Sequence, residues 1–547
     1  MPTLMGKQQE KQRETEELFW ADQLADAIIN RKKYHYLDKP IPKFNEFIVK
    51  TSASLSGVLH IGRLSDTIRG YSVFKALQDK GVKAKLIWVA ENMDPLRKVP
   101  QNVPKKFEEY LGMSVSDVPD PEGCHDSYAD HFMLEYFEVL NEFVAVKMEK
   151  HSMREEYKKG HFKPFIKKLL EQVELVREIQ NKYREHPLPP GWSPWTPICE
   201  KCGKIITAKV TGFREGLVEY TCQDYQFETT TAKGCGHKGI DDPMQCNGKL
   251  MWKSEWASQW ALWKVCSEGA GKEYQVPNSA FWVNAEICER VLDFPKPEPI
   301  FYEHIMIDNQ KMSASLGNVI YPREWLEVAP PELLNYFYNK RLMKTRSLSW
   351  KDLPLLYREY EEAVQIAGGE KRLDNEKEEL HYQRLLEICS LGKKYLPLPI
   401  SFTHAALLAQ VFTKKEDMVH ALERVDAYDG KLDKEIFILV ERARVWLEKY
   451  APGETKFKLQ DRVPEGLQLS AEEKKALHLV AEKLKERQWN EKDLHNEFYG
   501  ICKTVNLEPK EFFKAAYRVL LNQERGPLLA NFVLTLGERA VRLLEEA

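Results

Sequence analysis

The chain has 547 residues, 43% hydrophobic and 30% charged, which suits a multidomain globular protein of three or four domains at the usual ~150 residues each. Eighty Lys and Arg against 83 Asp and Glu leave a formal charge of −3, so the chain is no polycation, and a nucleic-acid partner would have to be met by local basic patches. With no apolar run near the ~20 residues of a membrane span, no signal-like apolar stretch in MPTLMGKQQEKQRETEE and only ten cysteines, the expectation is a cytoplasmic protein without membrane association whose clustered Cys and His hold metal.

Residues 1–18 read as a charged, flexible lead-in. FWADQLADAIINRKK follows with Trp20, Leu24, Ile28 and Ile29 on one helical face. FIVKTSA reads as a buried strand, SLSGVLHIG as a Ser/Gly turn, RLSDTIRGYSVFKALQDKG as an amphipathic helix ending at Gly81, and AKLIWVAEN (84–92) as a second strand. Strand, Gly-bearing turn, helix and strand make a βαβ unit, which predicts an α/β fold of Rossmann type with a site at the strand C-termini. Residues 95–190 read as mostly helical. PLPPGWSPWTP (187–197) marks a boundary, and 198–250 is a small inserted module rich in Cys, Gly and Thr. Sheet-like text resumes near 275–310, with IFYEHIMI as its best strand, and leads into the polar loop NQKMSASLGNV. After Pro330 the pattern is amphipathic helix, as in FILVERARVWLEKYAP and EFFKAAYRVLL.

Two stretches carry phosphate chemistry. In SGVLHIG the small residues Ser56, Gly57 and Gly62 let backbone amides approach a phosphate at a helix N-terminus, and His60 is placed to donate to a phosphate oxygen. In KMSAS, Lys311 is a mobile point charge and Ser313 and Ser315 are donors, a combination suited to polyphosphate. Two further stretches have zinc spacing. Asp120, Cys124, His125 and His131 form D-x3-C-H-x5-H. Cys199-x2-Cys202 is followed by Cys222 and by Cys235-Gly-His237, with Cys246 as a spare, so the fourth ligand stays open among Cys235, His237 and Cys246. Both zincs would be structural.

In this order and spacing, HIGR and KMSAS resemble the HIGH and KMSKS motifs of class I aminoacyl-tRNA synthetases. FWADQLADAII, RKVPQNVPKKFEEYLGM, VPDPEGCHDSYADHF, CEKCGK, GCGHKG, KLMWKSEWASQW, EGAGKEY, KMSASLGN, LEKYAP and ERGPLLANF narrow the resemblance to class I lysyl-tRNA synthetase, from Phe19 to the C-terminus. The resemblance implies a Rossmann first half over 19–190 with a helical, zinc-bearing insertion, a zinc module over 191–254, a Rossmann second half over 255–345 and a helical tRNA- and anticodon-binding region over 346–547. It also implies a monomer that uses L-lysine, ATP with Mg2+, and tRNA(Lys), forming lysyl-adenylate and passing lysine to the tRNA 3′ end. His60 and Lys311 would be catalytic. ATP would meet Ser56, Gly57, His60, Gly62, Arg63, Lys311, Ser313 and Ser315. The lysine ammonium needs a carboxylate, because a buried unpaired cation is costly. Asp66 is the first candidate and Glu273 the second, and Ser54 is also expected to bind lysine.

The sequence departs from that family around this pocket. Arg63 stands where relatives have Asn, Tyr274 replaces a His, Leu316 replaces a Lys, QVPNSAFWVN replaces a Gly/Ser-rich stretch, and the acidic run after the second strand is reduced to Glu91 and Asp94. Two alternatives follow: a paralogue activating another amino acid or acceptor, and a catalytically weakened tRNA-binding relative. In the helical half, Trp446, Tyr450, Phe512, Phe513 and Tyr517 read as core, and Arg442, Arg444 and Lys449 as a solvated face, so no anticodon contact is named.

Overall fold

The computed structural model describes residues 19–55, 58–100, 103–312, 318–395 and 397–547. Ser56, Gly57, Ser313, Ser315, Leu316 and the expected lead-in lie outside these. The chain divides into two compact units. The first holds the described residues up to Trp325 with Pro331–Leu348 and Arg372–Lys394; the second holds Leu326–Pro330, Ser349–Lys371 and Tyr395–Ala547.

The first unit is built on a five-stranded parallel sheet. Its strands are β1 (Phe47–Ala53), β2 (Ala84–Ala90), β3 (Glu149–Ser152), β4 (Val265–Gly271) and β5 (Glu298–Tyr302), in the spatial order β5-β4-β1-β2-β3. This is the doubly wound order that leaves a crevice where the strand sequence reverses, between β1 and β4. β1 is buried along nearly its whole length, as a strand covered on both faces must be.

Five elements differ from the sequence reading. In α1 (Trp20–Asn30) the buried residues are Ala21, Asp22, Ala25 and Ile28, because Asp22 forms a two-pronged ion pair with Arg384 at 2.7 and 2.8 Å that turns the inner face away from Trp20 and Leu24. The next helix, α2 (Ile61–Asp79), is buried on almost every side, because it packs on β1, β2 and β4 and is covered by α1 and the helix Pro331–Asn339. Gly70 permits that approach: a Cβ there would lie 2.4 Å from Thr51 Cγ2. The fourth sheet strand is VCSEGAG rather than text in 275–290, where Ala280–Arg290 is a helix. IFYEHIMI splits into β5 and Ile305–Ile307, and the short β3 interrupts the stretch expected to be helical.

The Cys-rich insertion carries a three-stranded antiparallel sheet of Ala208–Arg214, Leu217–Cys222 and Lys238–Asp241, and Trp195–Pro197 pairs with Gly248–Leu250 at its root. The second unit is helical. Phe498, Phe512, Leu520 and Phe532 are within its core. Trp446 is buried, donating from Nε1 to Trp350 O at 2.7 Å, and Tyr517 is buried while Tyr450 and Phe513 are half-buried. Ser470 and Glu473 close a reciprocal cap on the helix Ala471–Glu486. No helix among the described residues is long and apolar enough to cross a membrane.

Candidate active site and metal centres

A cavity of about 580 Å³ opens at the C-terminal ends of β1 and β4. Of the residues expected at a site, Ser54, His60, Gly62, Arg63, Asp66, Glu273 and Lys311 all line it. They come from β1 and its turn, the start of α2, the end of β4 and the hairpin after β5. Lys311 is brought in by the two-residue turn Asp308–Asn309, both with positive φ (47° and 62°), a backbone state that Asp and Asn tolerate and that suits the strand twist.

His60 caps α2. Its Nδ1 accepts from Gly62 N–H at 3.1 Å, so in the neutral ring the proton sits on Nε2, which is a donor. Burial, reinforced by the Arg63 charge, lowers its pKa to about 4, so the ring is neutral at pH 7. The 19-residue helix behind it adds a positive dipole end. Arg63 and Lys311 are exposed cations on the same cavity, giving this rim the charge a polyphosphate needs.

The opposite wall is acidic and mostly self-neutralised. Lys50, fully buried, sits 2.5 Å from Glu268 and 3.7 Å from Glu91. Glu268 also accepts from the indoles of Trp256 at 2.9 Å and Trp260 at 2.5 Å. Lys249 bridges Asp94 at 3.0 Å and Glu255 at 2.9 Å, and Ser54 gives its hydroxyl to Asp94 at 2.8 Å. Burial alone would raise Asp94, but the charge and hydrogen bond of Lys249 hold it below the ordinary carboxylate value. Glu91 goes the other way, raised by burial to about 8. Glu273 is exposed and meets His304 at 3.0 Å.

Asp66 differs from these: no cation lies within ion-pair distance of it among the described residues. Its Oδ2 accepts from Ser52 N–H at 3.3 Å and its Oδ1 from the Tyr302 hydroxyl at 3.4 Å. Burial first, then the Glu268 charge, raise its pKa to about 6. It lies flat on β4, where a Cβ on Gly269 would be 1.8 Å from Oδ1. Sequence reasoning passed over Lys50, Lys249, Glu268, Trp256 and Tyr302. The one local signal was aromatic spacing, since Trp252, Trp256 and Trp260 recur every fourth residue on the helix Trp252–Trp263.

Both zinc-spaced clusters assemble. The thiols of Cys199, Cys202, Cys222 and Cys235 lie within 4.8 Å of one another, with Cys199–Cys235 at 3.7 Å and Cys202–Cys222 at 3.6 Å. A tetrahedral zinc with bonds of about 2.3 Å requires sulfur separations of about 3.8 Å, so this donor set fits the ion. The two other candidates for the fourth position lie outside this cluster. His237 turns away to Glu200 at 2.6 Å, and Cys246 is buried in the apolar core below the module. Asp120, Cys124, His125 and His131 form the second cluster, with Cys124 Sγ 3.2 Å from Asp120 Oδ2, 3.0 Å from His125 Nδ1 and 3.3 Å from His131 Nδ1. The N–H groups of Glu122, Cys124 and His125 hold the Asp120 carboxylate in place.

The model of the family described as "tRNA synthetases class I (K)" matches residues 18–390. The chain is 30% identical over 540 residues to a lysine–tRNA ligase of Methanosphaera stadtmanae, covering 95% of this chain and 97% of that one. It is also 30% identical to the lysine–tRNA ligase of Methanocaldococcus jannaschii (95% and 98% covered) and 32% identical to that of Pyrococcus furiosus (95% and 98% covered). With a family match over well more than half its length and likeness to these relatives from end to end, the chain belongs to the class I tRNA synthetases of the K group.

Proposed function

We propose that this chain is a lysine–tRNA ligase, which activates L-lysine with ATP and transfers it to the 3′ end of tRNA(Lys). The observation that supports it most is the division of one cavity into a cationic, helix-capped rim and a wall on which the buried Asp66 carboxylate has no cation within ion-pair distance among the described residues. ATP, with its Mg2+, lies with its phosphates along the rim. His60 Nε2–H and the start of α2 receive charge at the α-phosphate, and Lys311 meets the departing pyrophosphate. Lysine lies with its ammonium on Asp66 and Tyr302, between Trp256 and the β4 backbone. Its carboxylate oxygen then attacks the α-phosphorus in line as the bond to the pyrophosphate oxygen breaks. Positioning and charge stabilisation carry the step, with no covalent enzyme intermediate.

Asp120, Cys124, His125 and His131 hold one zinc and the four cysteines another, each a structural site. The helical second unit holds the tRNA. The test is amino-acid-dependent ATP–pyrophosphate exchange across all twenty amino acids, with and without tRNA. Lysine-dependent exchange is expected. Exchange with another amino acid instead would assign Arg63 and Tyr274 to a changed specificity, and silence from folded protein would favour a tRNA-binding relative without catalysis.

A further inference from the structure

Behind the cavity wall lies a charge that the reaction does not use. Arg69 is 1% exposed, and none of its Nε, Nη1 and Nη2 has a hydrogen-bond partner among the described residues. A guanidinium buried in this way is costly, and an apolar side chain of similar volume would fill the space without that penalty. Part of the penalty is offset by two aromatic faces: the guanidinium carbon lies 4.4 Å from the Tyr302 ring centroid and 5.2 Å from that of Tyr338. Tyr338 is itself pinned, its hydroxyl donating to Ile61 O at 2.8 Å. Tyr302 is the ring that faces the cavity, and its hydroxyl donates to Asp66. Arg69 also stands three residues after Asp66 on α2, a spacing that puts the two side chains on one helix face.

We propose that Arg69 is a positioning residue for amino-acid recognition: through the face of Tyr302 and across one helical turn, its charge keeps Asp66 an oriented carboxylate for the cationic end of the substrate. The inference rests on the proposed role of Asp66. A cation over the ring draws electron density from the phenol and makes its hydroxyl a better donor. The same charge counters Glu268, which faces Asp66 from β4. The other groups around Asp66 are Lys50 and the Ser52 N–H from β1, Tyr302 from β5 and Tyr136 from the helix Tyr128–Phe143. Of these only Lys50 is a cation, and it is held 2.5 Å from Glu268.

The decisive experiment titrates Asp66 in the full chain labelled with 13C at the aspartate carboxyl carbon, the resonance being assigned by its loss in Asp66→Asn. Arg69→Met is expected to move the Asp66 midpoint up by about one pH unit, and Arg69→Lys to leave it near the wild-type value. In exchange assays the KM for lysine of Arg69→Met should rise about tenfold below the shifted midpoint and much less at pH 8, with kcat little changed. An unmoved Asp66 midpoint in Arg69→Met, or a KM rise equal at all pH values, would overturn the proposal. Should Arg69→Met not fold, Arg69→Gln gives the same reading with a neutral polar side chain. A wild-type chain without lysine-dependent exchange would sink the lysine reading, while the carboxylate titration still decides the role of Arg69.

Discussion

Replacing Lys50 by Met tests the electrostatic floor of the pocket. Lys50 is fully buried on β1 and neutralises Glu268, which is 2% exposed and which the indoles of Trp256 and Trp260 also hold. Met matches the volume of the aliphatic stem, so little packing is lost and the effect reports the stranded carboxylate. Removing one partner of a buried ion pair costs about 3–5 kcal/mol, and here the two indole donors should keep the loss at the lower end. The assay is urea unfolding followed by tryptophan fluorescence, read on the transition that reports Trp256 and Trp260. The double variant Lys50→Met, Glu268→Gln keeps an acceptor for the indoles and removes the charge, so it should regain more than half of the loss. A loss below about 1 kcal/mol for Lys50→Met would refute the reasoning, since it would mean that Glu268 is neutral or solvated without Lys50. So would a double variant as unstable as the sum of its single changes.

Three further outcomes follow from the geometry. His60→Gln should lower kcat for exchange by about 10²–10³ with a smaller change in the KM for lysine, since in the proposed mechanism the Nε2–H donor acts on developing charge rather than on the amino acid; an equal effect on lysine KM alone would contradict that placement. Gly269→Ala puts a methyl within 1.8 Å of Asp66 Oδ1, so the KM for lysine should rise at least tenfold while circular dichroism and the unfolding midpoint stay near wild type. Metal analysis should find two zinc ions per chain, with Cys235→Ser losing one of them and His237→Ala losing none, which separates Cys235 from His237 as the fourth ligand.

The order of elements around the site was readable because each has a local cause. FIVKTSA is β-branched and apolar enough to be a strand wherever it packs, and the small residues of SGVLHIG end that strand before His60 caps the next helix. Cys199-x2-Cys202 brings two thiols to one turn whatever surrounds them. The strand VCSEGAG was not readable as one, because glycine and serine have poor strand propensity and only its place between β1 and β5 makes it extended. The same holds for AFWVNAEICER, whose apolar run suits a strand until it is packed as a helix on Trp252–Trp263.

What the sequence determined by itself is the Ser/Gly turn before α2, Lys311 as a candidate phosphate contact, the two candidate sets of zinc ligands up to one ambiguity, and Asp66 as a carboxylate one turn into a helix. These depend on spacings of a few residues, which the chain imposes directly. Only the tertiary structure decided which of the cavity's acids have a cation beside them. The sequence does not show that Lys249 reaches Asp94, that Lys50 reaches Glu268, or that Glu91 is raised by burial. The tertiary structure also decided that Cys235 rather than His237 closes the thiol cluster, and that Arg69 is buried behind the wall. The physical reason is range: a charge is neutralised, a ligand set closed and a side chain desolvated by neighbours tens to hundreds of residues away, whose arrival depends on how the whole sheet and its helices pack.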